Sequence, residues 1–246
     1  MIEVKNLKKS FGDNLVWQDV SFTISDGETI AIIGRSGCGK SVLMKHLNAL
    51  MYPDEGEVII DGKNIFELQY ANLRKVRRRF SVLFQGSALF DSINVFDNIA
   101  FPLRYFSDLS EKEIKKKVME ALDMVNLENV AEKDTADLSG GMSRRVALAR
   151  AIVPEPDFLI YDEPTTGLDP QTSEEINKLI VDLADNLNVT SIVVTHDMHS
   201  VLEVADNVVF LDDKKLAWQG TIEEMHQTED KHLLDFITAS EYKIKN

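Results

Sequence analysis

Cysteine is nearly missing from this sequence: 246 residues contain one, Cys38. An internal disulfide framework is therefore excluded, and a lone thiol fits a reducing compartment. Long hydrophobic runs are missing too. The longest uncharged apolar stretches, around IAIIG and SIVVT, are strand-sized, well short of the roughly eighteen residues of a membrane span. The amino terminus MIEVKNLKKSFG has no apolar signal core, so the chain is expected to stay in the cytoplasm. Positive charge is also short. The 27 Lys and Arg against 41 Asp and Glu leave a formal charge of −14, which repels phosphate backbones and argues against nucleic acid as the main partner. One basic cluster stands out, Arg74, Lys75, Arg77, Arg78 and Arg79; it reads as a solvated helix face ahead of a strand, with a binding patch as the alternative. Repeats, low-complexity tracts and proline- or serine-rich linkers are absent, so the chain reads as one compact unit.

What is present is an apolar share of 44%, enough at this length to bury a sizeable core. Residues 1–30 alternate apolar and polar, as in MIEV and VSFTIS, with turns at Gly12-Asp13 and Asp26-Gly27; this predicts antiparallel strands. TIAIIG predicts a short buried strand, and SVLMKHLNAL a helix with Val42, Leu43, His46, Leu47 and Leu50 on one face. EVIIDG predicts a strand closing on a turn. From about 97 to 150 the pattern turns helical, with a capping box at Ser110 and Glu113 ahead of Ile114, Val118, Ala121, Leu122 and Val125. FLIYD predicts a strand. A helix entered through Asp169 and Pro170 follows, and SIVVT, NVVFL and KLAWQ are further strands. Strands alternating with helices predict an α/β fold with a mainly parallel core sheet, an N-terminal antiparallel β subdomain and an inserted α-helical subdomain.

GRSGCGKS, residues 34–41, matches the eight-position phosphate loop in full and lies between an apolar strand and a helix, the context that motif requires. Gly34, Gly37 and Gly39 let the backbone curl, so that amides along Arg35, Ser36 and Cys38 converge on phosphate oxygens at a positive helix end. Lys40 would reach the β and γ phosphates, and Ser41 would offer its hydroxyl to Mg²⁺. Cys38 at a helix start is either a small residue filling the loop or a thiol of lowered pKa. FLIYDE ends in two carboxylates: Asp162 is placed to hold the metal and Glu163 to polarise the attacking water. His196 closes SIVVTH and could contact the γ phosphate, with a packing or capping role as the alternative.

Together with Gln85 in LFQGSALF, LSGGM at 138–142 and TTGLDP at 165–170, these segments resemble the nucleotide-binding subunit of ABC transporters over about residues 1–225. The resemblance implies a P-loop NTPase fold of the ABC type, with the helical insert at about 86–150 and a helical tail at 226–246. It implies ATP hydrolysis with ATP and Mg²⁺ as cofactors. Phe11 then looks like the aromatic that stacks on adenine, although a strand phenylalanine is often core and Trp17 is nearby. Gln85 looks like the glutamine joining metal to partner, Asp169 like the D-loop aspartate and His196 like the switch histidine. LSGGM looks like the family signature, with Met142 where glutamine is usual. Its Ser139, Gly140 and Gly141 would face the phosphate loop of a second copy, so that two ATP molecules are held between two chains.

A chain of this kind implies separate membrane subunits and a place on the cytoplasmic face of the inner membrane. GSALFDSINVFDNIAFPLRYF, residues 86–106, is mostly expected in the core of the insert; Leu89, Phe90 and Phe96 would line a groove for a cytoplasmic helix of the permease. The same segment and LSGGMSRRVALARAI resemble the Mla/Mce-type group, which implies lipid or phospholipid transport with a permease, an MCE-type substrate-binding protein and a STAS-domain regulator. The tail TIEEMHQTEDKHLLDFITASEYKIKN is helix-prone with Leu233, Leu234 and Phe236 as anchors, on its own domain or on a neighbour. Two other classes compete. A soluble ABC protein of ribosomes or DNA would carry two cassettes or a long coiled-coil insertion. A phosphate-loop kinase would yield a phosphorylated metabolite and leaves LSGGM and TTGLDP without a use.

Overall fold

The alternating pattern at the start of the chain folds as an antiparallel pair, β1 (Ile2–Phe11) and β2 (Asn14–Ile24), which turns at Gly12-Asp13. The computed structural model describes residues 1–240. The inward-facing Ile2, Val4, Leu7, Trp17, Val20, Phe22 and Ile24 are all buried. Next come β3 (Thr29–Gly34), buried at every position, and α1 (Lys40–Leu47). The hairpin strands β4 (Glu55–Ile60) and β5 (Lys63–Asn64) then complete the first sheet, in the order β2-β1-β4-β5.

The remaining strands build on β3. After α2 (Tyr70–Arg78) comes β6 (Phe80–Leu83), followed by the helices α3 (Val95–Phe106), α4 (Glu111–Met124) and α5 (Gly140–Ile152). Then β7 (Phe158–Asp162), α6 (Pro170–Leu187), β8 (Thr190–Val194), α7 (Met198–Val204), β9 (Asn207–Asp212) and β10 (Lys215–Thr221) alternate. Two helices close the described chain, α8 (Ile222–His226) and α9 (Lys231–Ala239). The second sheet has the order β10-β9-β3-β8-β7-β6, with every pair parallel except β9-β10. An α/β molecule with a mainly parallel sheet, a smaller antiparallel sheet and a helical layer is thus what the alternation predicted. The strands of a parallel sheet all end on one edge, and loops from several strands converge there.

Apolar residues sort by strand face. Ile30 and Ile32 of β3 join α1 and the antiparallel sheet in one cluster, whereas Ala31 and Ile33 join α7 and α9 in another. The helical layer packs in a third, where Ile114, Val118, Ala121 and Leu122 of α4 meet Val95, Ile99 and Leu103 of α3 and Val146 and Leu148 of α5. Ser110 caps α4 as expected: Glu113 N–H donates to its Oγ at 3.4 Å, and Glu113 Oε2 accepts from Ser110 N–H at 2.8 Å.

Three expectations need correction. First, α1 stops at Leu47, so Leu50 is outside the helix and 60% exposed. Ala49 takes φ 58, and the N–H groups of Ala49 and Met51 close on the carbonyls of His46 and Lys45, which ends the helix a turn early. Second, the basic run is not wholly a solvated face. Arg77 donates two hydrogen bonds to Ala49 O, and Arg79 pairs with Asp61 of the β4–β5 turn (2.6 Å) and with Asp157 just ahead of β7. Third, the tail anchors are Leu233, Phe236 and Ile237, all buried on the chain's own domain, while Leu234 is half-buried. Residues 241–246 of that tail lie outside the described residues.

Candidate functional site

Beyond the carboxyl ends of β3, β7 and β8 lies a cavity of about 970 Å³. It collects Phe11, Gly34, Arg35, Ser36, Gly37, Gly39, Lys40, Ser41, Gln85, Asp162, Glu163 and His196 from five separate stretches of sequence. Phe11 is half exposed at the end of β1, with Lys9 Nζ 5.6 Å from its ring centroid. Phe11 therefore lines the cavity instead of joining the core.

The phosphate loop owes its shape to its surroundings. Gly39 is the N-cap of α1 with φ 100, and a Cβ there would lie 2.5 Å from Trp17 Nε1 and 2.6 Å from Val16 Cγ1. Only glycine fits both the left-handed backbone and that approach. Having no side chain, Gly39 leaves the first turn of α1 uncapped by its own sequence, which suits an anion. Lys40 is buried, and its Nζ donates to Gly34 O at 2.6 Å and Arg35 O at 3.3 Å, so its charge is held inside the loop.

Cys38 does not line the cavity. Burial pushes its thiol up, with the Lys40 charge opposing, so the reading of Cys38 as a thiol of lowered pKa is overturned. Its Sγ stands 2.7 Å from where a Cβ on Gly34 would be, and the loop-filling alternative holds.

Glu163 follows β7 with φ 51, uncommon for a non-glycine residue. Its N–H donates to Val194 O at 2.8 Å, which fixes this turn against β8. The carboxylate accepts from Thr166 Oγ1 (3.1 Å) and Thr195 Oγ1 (3.2 Å), and His196 Nδ1 lies 2.9 and 3.0 Å from its two oxygens. An ionised carboxylate only accepts, so that contact places the imidazole proton on Nδ1. Asp162, half-buried beside it, has its pKa raised by burial first and by the Glu163 charge second.

Ser139, Gly140, Gly141 and Asp169 do not line the cavity of their own chain. They adjoin one another instead. Ser139 caps α5 by accepting from Met142 N–H at 3.3 Å; Asp169 caps α6, accepting from Thr172 N–H at 3.0 Å and its hydroxyl at 2.6 Å. A Cβ on Gly141 would meet Thr172 Cγ2 at 2.7 Å, so the two helix starts touch only because Gly141 has no side chain.

Several residues inside the quoted segments bear on the site without having been singled out. Thr166 and Thr195 orient Glu163, and both sit beside residues already singled out. Arg144, buried on α5, donates to Phe84 O (2.9 Å) and Thr166 O (3.4 Å), and Arg150 donates to Ser87 O and Ala88 O at 2.8 Å each. They tie the helix that begins at Ser139 to the loop that carries Gln85. That loop is also held by Asn98, which donates to Phe90 O, Ile93 O and Asn94 O and accepts from Phe90 N–H.

The family model for the ABC transporter matches residues 17–166. The chain is 41% identical over 237 residues, 96% of its own length and 90% of the relative's, to the intermembrane phospholipid transport system ATP-binding protein MlaF of Haemophilus influenzae. This chain belongs to the ABC transporter family. It is also 39% identical to MlaF of Escherichia coli K12, covering 96% of this chain and 88% of that one. A probable ribonucleotide transport ATP-binding protein, mkl, of Mycobacterium tuberculosis is 41% identical, but the chain spans 66% of its length. Among solved structures, a dimeric ATP-binding cassette in a post-hydrolysis state with ADP and Pi is similar, with TM-score 0.80 and 32% identity over 90% of this chain and 99% of that one. The cbiO1 protein of Clostridium perfringens, part of an ABC transporter complex, is similar with TM-score 0.86 and 32% identity over 97% and 94%. The chain is thus an ATP-binding, ATP-hydrolysing ABC cassette, and such cassettes form dimers.

Proposed function

We propose that this cassette powers phospholipid transport between bacterial membranes, bound from the cytoplasmic side to a separate permease. Full-length similarity to two MlaF proteins supports the lipid reading. No helix among the described residues is long and apolar enough to cross a membrane, which a cassette served by a distinct permease does not need. By the same likeness, an MCE-type substrate-binding protein and a STAS-domain regulator complete the assembly.

The observation that carries the mechanism is the division of the site residues: twelve share one cavity, and Ser139, Gly140, Gly141 and Asp169 stand outside it. Phe11 stacks on adenine, the loop amides and Lys40 hold the β and γ phosphates, and Glu163 polarises the attacking water. His196, hydrogen-bonded to Glu163, contacts the γ phosphate. Ser41, Gln85 and Asp162, which share the cavity, offer a hydroxyl, an amide oxygen and a carboxylate, a hard oxygen set that fits Mg²⁺. Bound there, Mg²⁺ neutralises charge on the phosphates. The signature of a second copy completes each site, so ATP joins two chains and hydrolysis removes what joined them.

A second cavity, about 740 Å³, lies between α2, β6 and α3 and is lined by Tyr70, Phe84, Phe90, Phe101 and Phe106 with Arg74 and Arg78. It suits a cytoplasmic helix of the permease. Phe90 lines it; Leu89 and Phe96 do not, because they turn inward onto the helical core.

With Glu163→Gln, ATP binding should persist while hydrolysis falls at least about 100-fold, the scale of a lost general base. Light scattering of this variant in Mg-ATP should then read a dimer. A species that stays monomeric, alone and with the purified permease, contradicts the proposal. Lipid analysis of the co-purified complex tests the cargo, and absence of any bound phospholipid counts against it.

A further inference from the structure

Three residues of the nucleotide cavity come from a place that no motif marks. Phe236, Ala239 and Ser240, near the other end of the chain, line the same cavity as Gly34, Lys40 and His196. They belong to α9 and its C-cap, and α9 is firmly held. Leu233, Phe236 and Ile237 are buried with Ala31 and Ile33 of β3, on the opposite face of that strand from α1. The Phe236 ring lies 5.1 Å from that of Phe210 on β9. Asp230 caps the first turn by accepting from Leu233 N–H at 2.9 Å, and His232 Nδ1 lies 3.3 Å from Asp212 at the end of β9. Because β3 runs straight into the phosphate loop, the strand is clamped by α1 on one side and by α9 on the other.

The end of α9 is chemically adapted to this place. A helix C-terminus leaves carbonyl groups without intrahelical partners, and their partial negative charge opposes an anion. Here Ser240 N–H donates to Phe236 O and Ile237 O at 3.2 Å, and Ser240 Oγ donates to Ile237 O at 2.6 Å. Those bonds blunt the negative pole where the helix meets the cavity. Ala239 is exposed into this space, whereas its neighbour Thr238 is exposed but does not line it.

From this we infer that α9 is part of the ATP site of its own chain, a wall whose position 239 faces the bound triphosphate. The inference rests on the reading that ATP occupies the phosphate-loop cavity. It assigns to the tail a task in nucleotide binding that no phosphate-loop motif contains.

The test is a charge-signed pair in the full chain, Ala239→Glu and Ala239→Lys, with Thr238→Glu as the control, read by equilibrium ATP binding and by melting temperature. All three should melt like the wild type, since neither side chain is buried. Ala239→Glu should weaken ATP binding about tenfold, the scale of one added charge several ångströms from a triphosphate in a partly shielded cavity. Ala239→Lys should bind as tightly as the wild type or more tightly, and Thr238→Glu should stay within about twofold. Equal weakening by Glu and Lys at 239, or no difference between the two Glu variants, overturns the inference. Lys40→Ala separates it from its premise: if that variant still binds ATP normally, the cavity reading fails and α9's part falls with it, whereas loss of binding there with unresponsive position 239 refutes the role of α9 alone.

Discussion

Glu163 owes its orientation to side chains from two other stretches, Thr166 three residues on and the Thr195-His196 pair at the end of β8. Its carboxylate was legible from the sequence because FLIYDE puts acid at the end of an apolar strand. Its partners were not, since hydrogen bonds between strand ends depend on which strands become neighbours, and β7 pairs with β8 across the whole of α6. A second residue that the sequence displays without its consequence is His46, which counted only as one more helical-face position. It is fully buried between Trp17 and Phe66, with Nδ1 2.6 Å from Val42 O and Nε2 without a hydrogen-bond partner among the described residues. Burial holds its pKa below the usual 6.5, against the pull of the Val42 and Tyr52 backbone and of Asp54, with Lys9 adding to the depression. A histidine kept neutral in the fold takes up a proton on unfolding, so its contribution is intact above pH 6.5 and is lost as pH falls below it. Denaturant titrations at pH 7.5 and 5.5 should show the wild type losing up to about 1.4 kcal/mol per pH unit below 6.5 from this source. His46→Gln should lose less over the same interval, and identical slopes for the two proteins would rule His46 out.

Among the elements, those with strong periodicity were predicted best. Helix α4 was read from its capping box and apolar stripe, and both are formed. Removing the cap with Ser110→Ala should lower the melting temperature by about 2–4 °C, the usual worth of one N-cap in a chain of this size. An unchanged melting curve would mean that α4 is held by its apolar face alone. Helix α1 was read too long, because the reversal at Ala49 depends on a left-handed alanine that no composition rule marks. Arg144 and Arg150 of α5 are plain in LSGGMSRRVALARAI, but their use is not: they reach the backbone of residues 84–88 because α5 packs across β6. That contact links the start of α5, where Ser139 sits, to the loop of Gln85. A displacement of either therefore loads the other.

For the whole molecule, the motifs specified a catalytic site but not its completeness. Gathering twelve residues from five stretches into one cavity while leaving Ser139 outside is a property of the sheet order, which places β3 between β8 and β9. The proposed trans arrangement makes Ser139→Arg a measurement on the dimer: hydrolysis should fall roughly 100-fold, comparable to losing an oxyanion donor, while ATP binding by the monomer stays near normal. Turnover unaffected by this variant would show that the signature of the partner copy does not touch the nucleotide.

Arg79 bears on how such a dimer can move. One guanidinium reaches Asp61 on the small sheet and Asp157 on the large one, and lies 5.2 Å from the ring of Phe158. Phe11 on the small sheet and the phosphate loop on the large one, the two sides of the proposed nucleotide site, are thus tied through one side chain. The helical layer is riveted to the same frame, since Arg145 of α5 reaches Glu175 of α6, so a strain set up at the nucleotide would be handed on to α5 rather than absorbed before it.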